Sequence, residues 1–133
     1  MRTPLKSCTV GLVVAASLAL ATPAHADLLL VHDDWACDVP YSGELQCAPT
    51  VLVPPGGYLW VGIGNGGPTL FTVYQATAAG RTQVGWMQMR GGEGRPYTNT
   101  TGAPVVVDVT MHEDAPTNRC GTRFEHGFVE VRV

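Results

Sequence analysis

The chain has 133 residues, of which eight are lysine or arginine and eleven are aspartate or glutamate, and its formal net charge at pH 7 is −3. A chain with few charges and a negative balance lacks the basic footprint by which proteins bind nucleic acids or anionic membranes, so both classes of partner are excluded. Its length allows one domain with a single modest core.

The first 26 residues have the features of an export signal. Arg2 and Lys6 give a basic start, residues 10–21 are apolar, and small residues suited to a signal peptidase precede position 27. The apolar run is too short for a membrane-spanning helix, which needs about 20 residues. We therefore predict a cleaved bacterial signal peptide over 1–26. The secreted domain over 27–133 is then extracellular or periplasmic, with no membrane attachment after cleavage.

After the cleavage site the sequence predicts two strands separated by a loop. Residues 27–32 form the first strand, and residues 33–46 are polar and rich in turn formers, which indicates a loop. Residues 49–53 form a short second strand. It ends at the Pro-Pro-Gly-Gly sequence of 54–57, where proline fixes φ and glycine accepts the positive φ of a corner.

Residues 58–76 carry two alternating apolar runs joined by the sequence Asn-Gly-Gly-Pro. Leu59, Val61 and Ile63 share one face of the first run, because successive side chains of a strand point to opposite faces. Asn-Gly accepts the positive φ angles of a tight hairpin turn. The segment is therefore predicted to be a β-hairpin. Since both of its faces carry bulky side chains, it is expected to be central and covered by a second sheet.

The second half of the chain continues the same pattern. Residues 82–89, 105–111 and 122–133 alternate and predict strands, a short strand is expected near 97–101, and the glycine-rich stretch 90–96 indicates a mobile loop. No helical periodicity follows the export signal. Short strands separated by frequent turns predict an all-β fold. We expect a small antiparallel β-sandwich of seven or eight strands with jelly-roll or immunoglobulin-like connectivity.

Three cysteines follow the predicted cleavage site, and export makes disulfides possible. An odd number permits one internal bridge and leaves one thiol. The short segment with turn residues between Cys37 and Cys47 favours a bridge between these two, while pairing of Cys120 with either one stays open. The third cysteine either fills the core, which is the interpretation we favour, or is exposed and links two chains into a homodimer.

Three histidines and nearby carboxylates form a candidate metal site. His32 ends the first strand close to Asp34, His112 follows the strand 105–111, and His126 lies in the last strand. They would bind zinc if the fold brought them to one end, although none has the spacing of a zinc motif. Calcium held by the carboxylates around Asp34 is a further hypothesis. Isolated histidines at strand ends are usually solvated, so the default expectation is no cofactor.

The sequence offers no catalytic constellation. Ser42 is the single serine after residue 26 and lies in no Gly-x-Ser-x-Gly sequence, and Cys120 would need a histidine brought to it by the fold. Residues 62–67 fit the string Gly-x-Gly-x-x-Gly, yet a strand rather than a helix follows them, so the dinucleotide-binding fingerprint is excluded. These observations favour a protein that is not an enzyme.

Aromatic side chains are the other candidates for recognition. Trp60 and Trp86 lie mid-strand and are assigned to the core, whereas Trp35 and Tyr41 lie in the predicted loop 33–46 and are assigned to an exposed binding surface. The sequence thus predicts a small secreted, non-catalytic module that binds an extracellular protein or glycan, an enzyme inhibitor being one form. The alternatives are a His/Asp metal-binding protein or metal-assisted hydrolase, and a disulfide-linked structural dimer.

Overall fold

The computed structural model describes residues 27–65, 67–114 and 120–133, so the predicted signal peptide lies outside the described residues. Within these ranges there is no helix with the length and apolar character to cross a membrane. The described residues form eight β-strands, which are β1 (Leu29–Pro40), β2 (Val51–Val53), β3 (Tyr58–Ile63), β4 (Thr69–Thr77), β5 (Gly80–Met89), β6 (Gly92–Thr98), β7 (Val105–Glu113) and β8 (Thr122–Arg132).

The strands pair into two antiparallel sheets of four strands each. The first sheet has the order β1-β8-β3-β6, and the second has the order β2-β7-β4-β5. The inward faces of both sheets supply one apolar core, whose fully buried members include Leu59, Val61, Phe71, Val73, Val107, Val109, Met111, Val129 and Val131. Because successive strand residues point to opposite faces, the polar residues between them lie outside. The predicted antiparallel β-sandwich of seven or eight strands is confirmed.

The predicted hairpin over residues 58–76 is wrong. Both runs are strands, but β3 pairs with β6 and β8 in the first sheet, whereas β4 pairs with β5 and β7 in the second. The segment between them crosses from one sheet to the other, and there Gly67 adopts a φ of +98° where a Cβ would lie 2.6 Å from the carbonyl oxygen of Met89. Asn65, Gly67 and Pro68 therefore lie at a sheet crossing, and the turn chemistry of the sequence does not distinguish such a crossing from a hairpin.

The two predicted loops, 33–46 and 90–96, are in part strands. β1 continues to Pro40, and its inward Trp35 and Val39 alternate with the exposed, outward Asp34 and Asp38. The glycine-rich stretch forms most of β6, where Gly94 faces the core and a Cβ would overlap the sulfur of Met87. These two strands lack the regular alternation of apolar residues that marks the other strands. In β1 the outward residues are polar, and in β6 a glycine occupies an inward position.

A buried asparagine fixes the connection between β6 and β7. The side-chain amide of Asn99 donates to the carbonyl oxygens of Val53 and Ala103 at 2.9 and 2.8 Å. Its carbonyl accepts from the backbone and hydroxyl of Thr101 at 2.9 and 2.6 Å. Asn99 is fully buried, so these four bonds satisfy the hydrogen-bonding capacity of a group that burial would otherwise penalise.

Candidate functional site

The outer face of the first sheet carries a row of aromatic and charged side chains. β8 is an interior strand, with β1 on one side and β3 on the other. Its inward residues Val129 and Val131 are fully buried, so the alternate residues of β8 point outward. We define the β8 face as the outward side chains of β8 together with the three neighbours that lie beside Glu130 and Arg132 on β1 and β3. Its members are Phe124, His126, Phe128, Glu130, Arg132, His32, Tyr58 and Trp60.

Glu130 is the electrostatic centre of the β8 face. It lies opposite His32 of β1 on one side and Trp60 of β3 on the other. Its Oε1 lies 2.8 Å from Nδ1 of His32, and its Oε2 accepts from Nε of Arg132 at 2.7 Å. Although Glu130 is only 8% exposed, its charge is compensated on both oxygens.

His32 is held between two carboxylates. Its Nε2 lies 3.0 Å from Oδ1 of Asp34, while Nδ1 faces Glu130. Both nitrogens donate at once only in the imidazolium form. The hydrogen bond to Glu130 first, and that to Asp34 second, raise the pKa of His32 above its usual 6.5. The imidazole also stacks on Phe128, with ring centroids 5.6 Å apart and planes inclined by 22°. The ring is therefore fixed in position, and its surroundings favour the imidazolium form more than water does.

Trp60 is partly exposed and is fixed by its neighbours. Its indole N–H donates to Oε2 of Glu93 at 2.8 Å, and the Arg132 guanidinium lies 4.9 Å from its ring centroid. Tyr58 meets it edge-on at 6.4 Å, and Arg95 covers the Tyr58 ring at 3.6 Å. Cation–π contacts and an anchored indole reduce the freedom of these rings, so little side-chain entropy would be lost on binding a ligand.

Two glycines of the adjacent chain segment let two rings of β8 lie against the sheet. Phe128 occupies the space where a Cβ on Gly62 would be, and His126 occupies the corresponding space at Gly64. His126 is exposed, and Phe124 at the end of the row is 57% exposed. The β8 face therefore presents accessible rings at one end and a charged, hydrogen-bonded group at the other.

The structure corrects the predicted positions of Trp35, Trp60 and Trp86. Tyr41, which was predicted to be exposed, is half-buried. Trp35 is not an exposed loop residue: it is 4% exposed, lies on the inward side of β1 and packs edge-on against Phe71. Trp86 is not in the core: it lies on the outer side of β5 and is 61% exposed. Trp60 faces outward too, and Tyr41 follows β1.

The predicted histidine cluster does not assemble. His32 and His126 lie on the outer face of the first sheet, whereas His112 points outward from the second sheet, where its Nδ1 lies 2.8 Å from the carbonyl oxygen of Gly43. The core separates the two faces. Among the described residues no group of three His, Cys, Asp or Glu side chains is arranged to hold a metal ion. The prediction that the three histidines converge on zinc with Asp34 is therefore wrong. The separate hypothesis of calcium held by the carboxylates around Asp34 also finds no such group among the described side chains.

The cysteine pairing follows one of the predicted alternatives. Cys37 of β1 and Cys47 form a disulfide, which confirms the favoured pairing. The loop that it ties down runs along β7, where the backbone of Leu45 exchanges two hydrogen bonds with Met111. Cys120 is a free, exposed thiol, so the expectation that it fills the core is wrong. It lies just before β8.

Sequence reasoning did not single out β8 as a candidate binding strand. The strand itself was predicted, but its outward Phe124 and Phe128 were not singled out, because a phenylalanine among valines does not show which face is buried. One signal was present in the sequence: Gly62 and Gly64 are two residues apart, so both lie on one face of the chain and leave room there for side chains of a neighbouring strand.

The chain matches no protein-family model, no curated protein and no solved structure.

Proposed function

We propose that this protein is a secreted, non-catalytic binding module whose β8 face binds an extracellular glycan. The observation that carries the proposal is the row of rings and hydrogen-bonding groups that follow one another along one interior strand. Binding sites combine apolar and aromatic surface with a few placed polar groups that fix orientation. In such a site the rings stack on the apolar faces of sugars, and the charged side chains accept or donate to sugar hydroxyls.

The charges of the β8 face favour a glycan over a protein partner. Glu130, Arg132 and His32 occupy one end of the face, so a partner that covers the whole row also covers these charges. The cores of protein interfaces are depleted in charge, because burying charged groups under an apolar partner carries a desolvation cost. A hydroxylated ligand keeps these groups hydrogen-bonded and avoids that cost.

The dimensions favour a chain-like ligand. At about 3.3 Å per residue, the outward row from Phe124 to Arg132 is about 26 Å long. A single monosaccharide would contact only part of it. A polysaccharide lying along β8 would reach the exposed rings at one end and the Trp60 and Arg132 group at the other.

The strand connectivity supports the jelly-roll form of sandwich over the immunoglobulin-like form. The pairs β4–β5, β3–β6, β2–β7 and β1–β8 are nested, as if one long hairpin with its tip at β4–β5 had been rolled over the core. We infer jelly-roll topology from this nesting, and lectin domains are among the proteins that use it. Because a fold does not determine function, this likeness only adds to the argument from the site.

The test is binding of the exported protein to a panel of cell-wall and extracellular polysaccharides. Trp60→Ala and Phe128→Ala are expected to weaken binding by about tenfold or more, since truncating a central ring of a binding site costs over about 1 kcal/mol. Trp86→Ala is the matched control, because this tryptophan is 61% exposed on the opposite sheet. Equal losses in the Trp86 variant, or retention of no glycan, would contradict the proposal. If the protein instead captures a protein partner, and Trp60→Ala abolishes that capture, the β8 face is still the binding surface but its ligand is a protein and not a glycan.

A further inference from the structure

Two glutamates from opposite sheets meet inside the sandwich. Glu113 is the last residue of β7 in the second sheet and is 2% exposed, and Glu125 of β8 in the first sheet is fully buried. Thr69, the first residue of β4, joins them. Its Oγ1 lies 2.8 and 3.0 Å from the two carboxylate oxygens of Glu125 and 3.4 Å from Oε2 of Glu113. The three side chains form a polar contact between the sheets at one end of the core.

The positive charge available to this pair is insufficient for two carboxylates. Arg123 approaches with its Nη1 3.7 Å from Oε1 of Glu113, and that oxygen has no hydrogen-bond partner. The guanidinium is 45% exposed and also faces the carbonyl oxygen of Gly67 at 3.4 Å. Two ionised carboxylates buried side by side would repel each other and lose their hydration, and one distant cation does not offset both costs.

No other described side chain supplies a charge to the pair. Cys37 lies opposite Glu125 on β1, and it is in the disulfide, so it does not titrate. Met89 lies opposite Thr69 on β5, and Thr69 itself is neutral. Asp114 is exposed and accepts from the side chain of Gln88. Among the described residues, Arg123 is therefore the single cation facing the two glutamates.

We propose that Glu113 and Glu125 share one proton and act as a pH-sensitive clasp that holds the two sheets together at this end. In the shared state one carboxyl donates to the other, and the Thr69 hydroxyl donates to the remaining charge. Loss of the proton leaves two buried negative charges on strands of opposite sheets. Repulsion then separates the ends of β7 and β8 and admits water between them. The clasp does not depend on what the β8 face binds.

The electrostatics of the pair place this transition near neutrality. Desolvation by burial first, and the neighbouring Glu113 second, raise the pKa of Glu125 to about 7. An acid whose pKa is raised on folding retains a proton that the unfolded chain has lost, so its contribution to stability is present at low pH and is lost as pH rises through about 7. Between pH 6 and pH 8 the unfolding equilibrium constant should rise about tenfold from this group.

The experiment measures urea unfolding of the exported protein at pH values from 5 to 9 for the wild type, Glu125→Gln and Glu113→Gln. Glutamine keeps the shape and imitates the protonated carboxyl. We expect both variants to lose the roughly tenfold change between pH 6 and pH 8 and to exceed the wild type in stability at pH 8. His32→Gln removes the histidine whose raised pKa affects stability in the same direction within this pH range, and Asp38→Asn serves as an exposed control.

Several results would overturn the clasp. A pH dependence that persists in Glu125→Gln and disappears in His32→Gln would assign the effect to the β8 face. Stabilisation of the wild type at pH 8 by calcium chloride, lost in Glu125→Gln, would make the pair a cation site. If the variants do not fold, infrared spectroscopy of the wild type decides. A protonated-carboxyl band that persists at pH 6 and vanishes by pH 9 supports the clasp, and its absence at pH 6 rejects it.

Discussion

Phe128 lies over the α-carbon of Gly62, in the space that a side chain at position 62 would fill. The two residues are directly opposite each other on β8 and β3. This contact sets the height of the Phe128 ring above the sheet and thereby the plane on which His32 stacks. The arrangement of the β8 face therefore depends on the absence of a methyl group at position 62.

The first prediction concerns this glycine. In Gly62→Ala the new methyl group should displace Phe128 and break its stack with His32, destabilising the protein by about 1–3 kcal/mol through overpacking. Urea unfolding measures the loss, and NMR chemical shifts of His32 report the stack. Gly102→Ala is the control, because a Cβ there meets nothing within 4 Å. An unchanged His32 spectrum in Gly62→Ala would show that the contact does not position the ring.

The second prediction concerns the protonation of His32. NMR titration should give the wild-type residue a pKa above 6.5, and Glu130→Gln should lower it more than Asp34→Asn does, because Glu130 is the larger cause of the shift. Asp34 is 83% exposed, so solvent screens its contribution. The sign for stability follows: the stabilisation is fully present below pH 6.5 and is lost as pH rises through the raised pKa. A larger effect of Asp34→Asn would contradict this order.

The sequence predicts the alternation of the strands but not which strands meet. The shared face of Leu59, Val61 and Ile63 in β3 was assigned correctly, and all three are buried, because alternation is a local property. Pairing is not local in this fold. Among the eight strands only β4 and β5 are neighbours both in the chain and in a sheet, while β1 pairs with β8 at the far end of the sequence. The erroneous hairpin over 58–76 came from assuming local pairing.

The candidate sites could be predicted only in part, for a related reason. Trp35 was predicted to be exposed and Trp86 to be buried, and the structure shows the reverse. Each strand has apolar residues on one side and mixed residues on the other, and a tryptophan fits either side. Asp34 and Asp38 lie close to Trp35 in the sequence and suggested a loop. They occupy alternate positions, however, which is also the pattern of a strand with a polar outer face. The meeting of Glu113 and Glu125 requires the register of both sheets, which no local pattern contains.

The third prediction concerns the buried amide of Asn99. Asn99→Ala removes four hydrogen bonds, so the carbonyl oxygen of Val53 loses this donor, while that of Ala103 keeps the Thr101 hydroxyl as a donor at 2.9 Å. We expect a loss of about 2–4 kcal/mol in the free energy of unfolding, since buried groups left unpaired cost about 1–3 kcal/mol each. Thr100→Ala, at the exposed neighbouring position, should change stability by no more than about 0.5 kcal/mol. Equal effects of the two substitutions would contradict the structural role of Asn99.

The fourth prediction concerns the three cysteines that follow residue 26, which should differ in their reactivity toward a thiol reagent. A thiol reagent applied to the native, unreduced protein should label Cys120 alone, because it is free and exposed while Cys37 and Cys47 are bonded to each other. For a chain cleaved after residue 26, mass spectrometry should therefore find one label before reduction and three after reduction in denaturant. Two or more labels on the native protein would contradict the bridge.

The same cysteines have different consequences for stability. Replacing Cys37 and Cys47 together by serine should lower the free energy of unfolding by about 2–3 kcal/mol, the loop-closure value for a bridge that spans 10 residues of sequence. Cys120→Ser should leave monomer stability within about 0.5 kcal/mol of the wild type, since an exposed thiol contributes no core packing. If the exported protein runs as a reducible dimer, this variant should convert it to a monomer. A dimer that persists in Cys120→Ser would show that Cys120 does not link the two chains. Cys37 and Cys47 would not supply that link while they are bonded to each other.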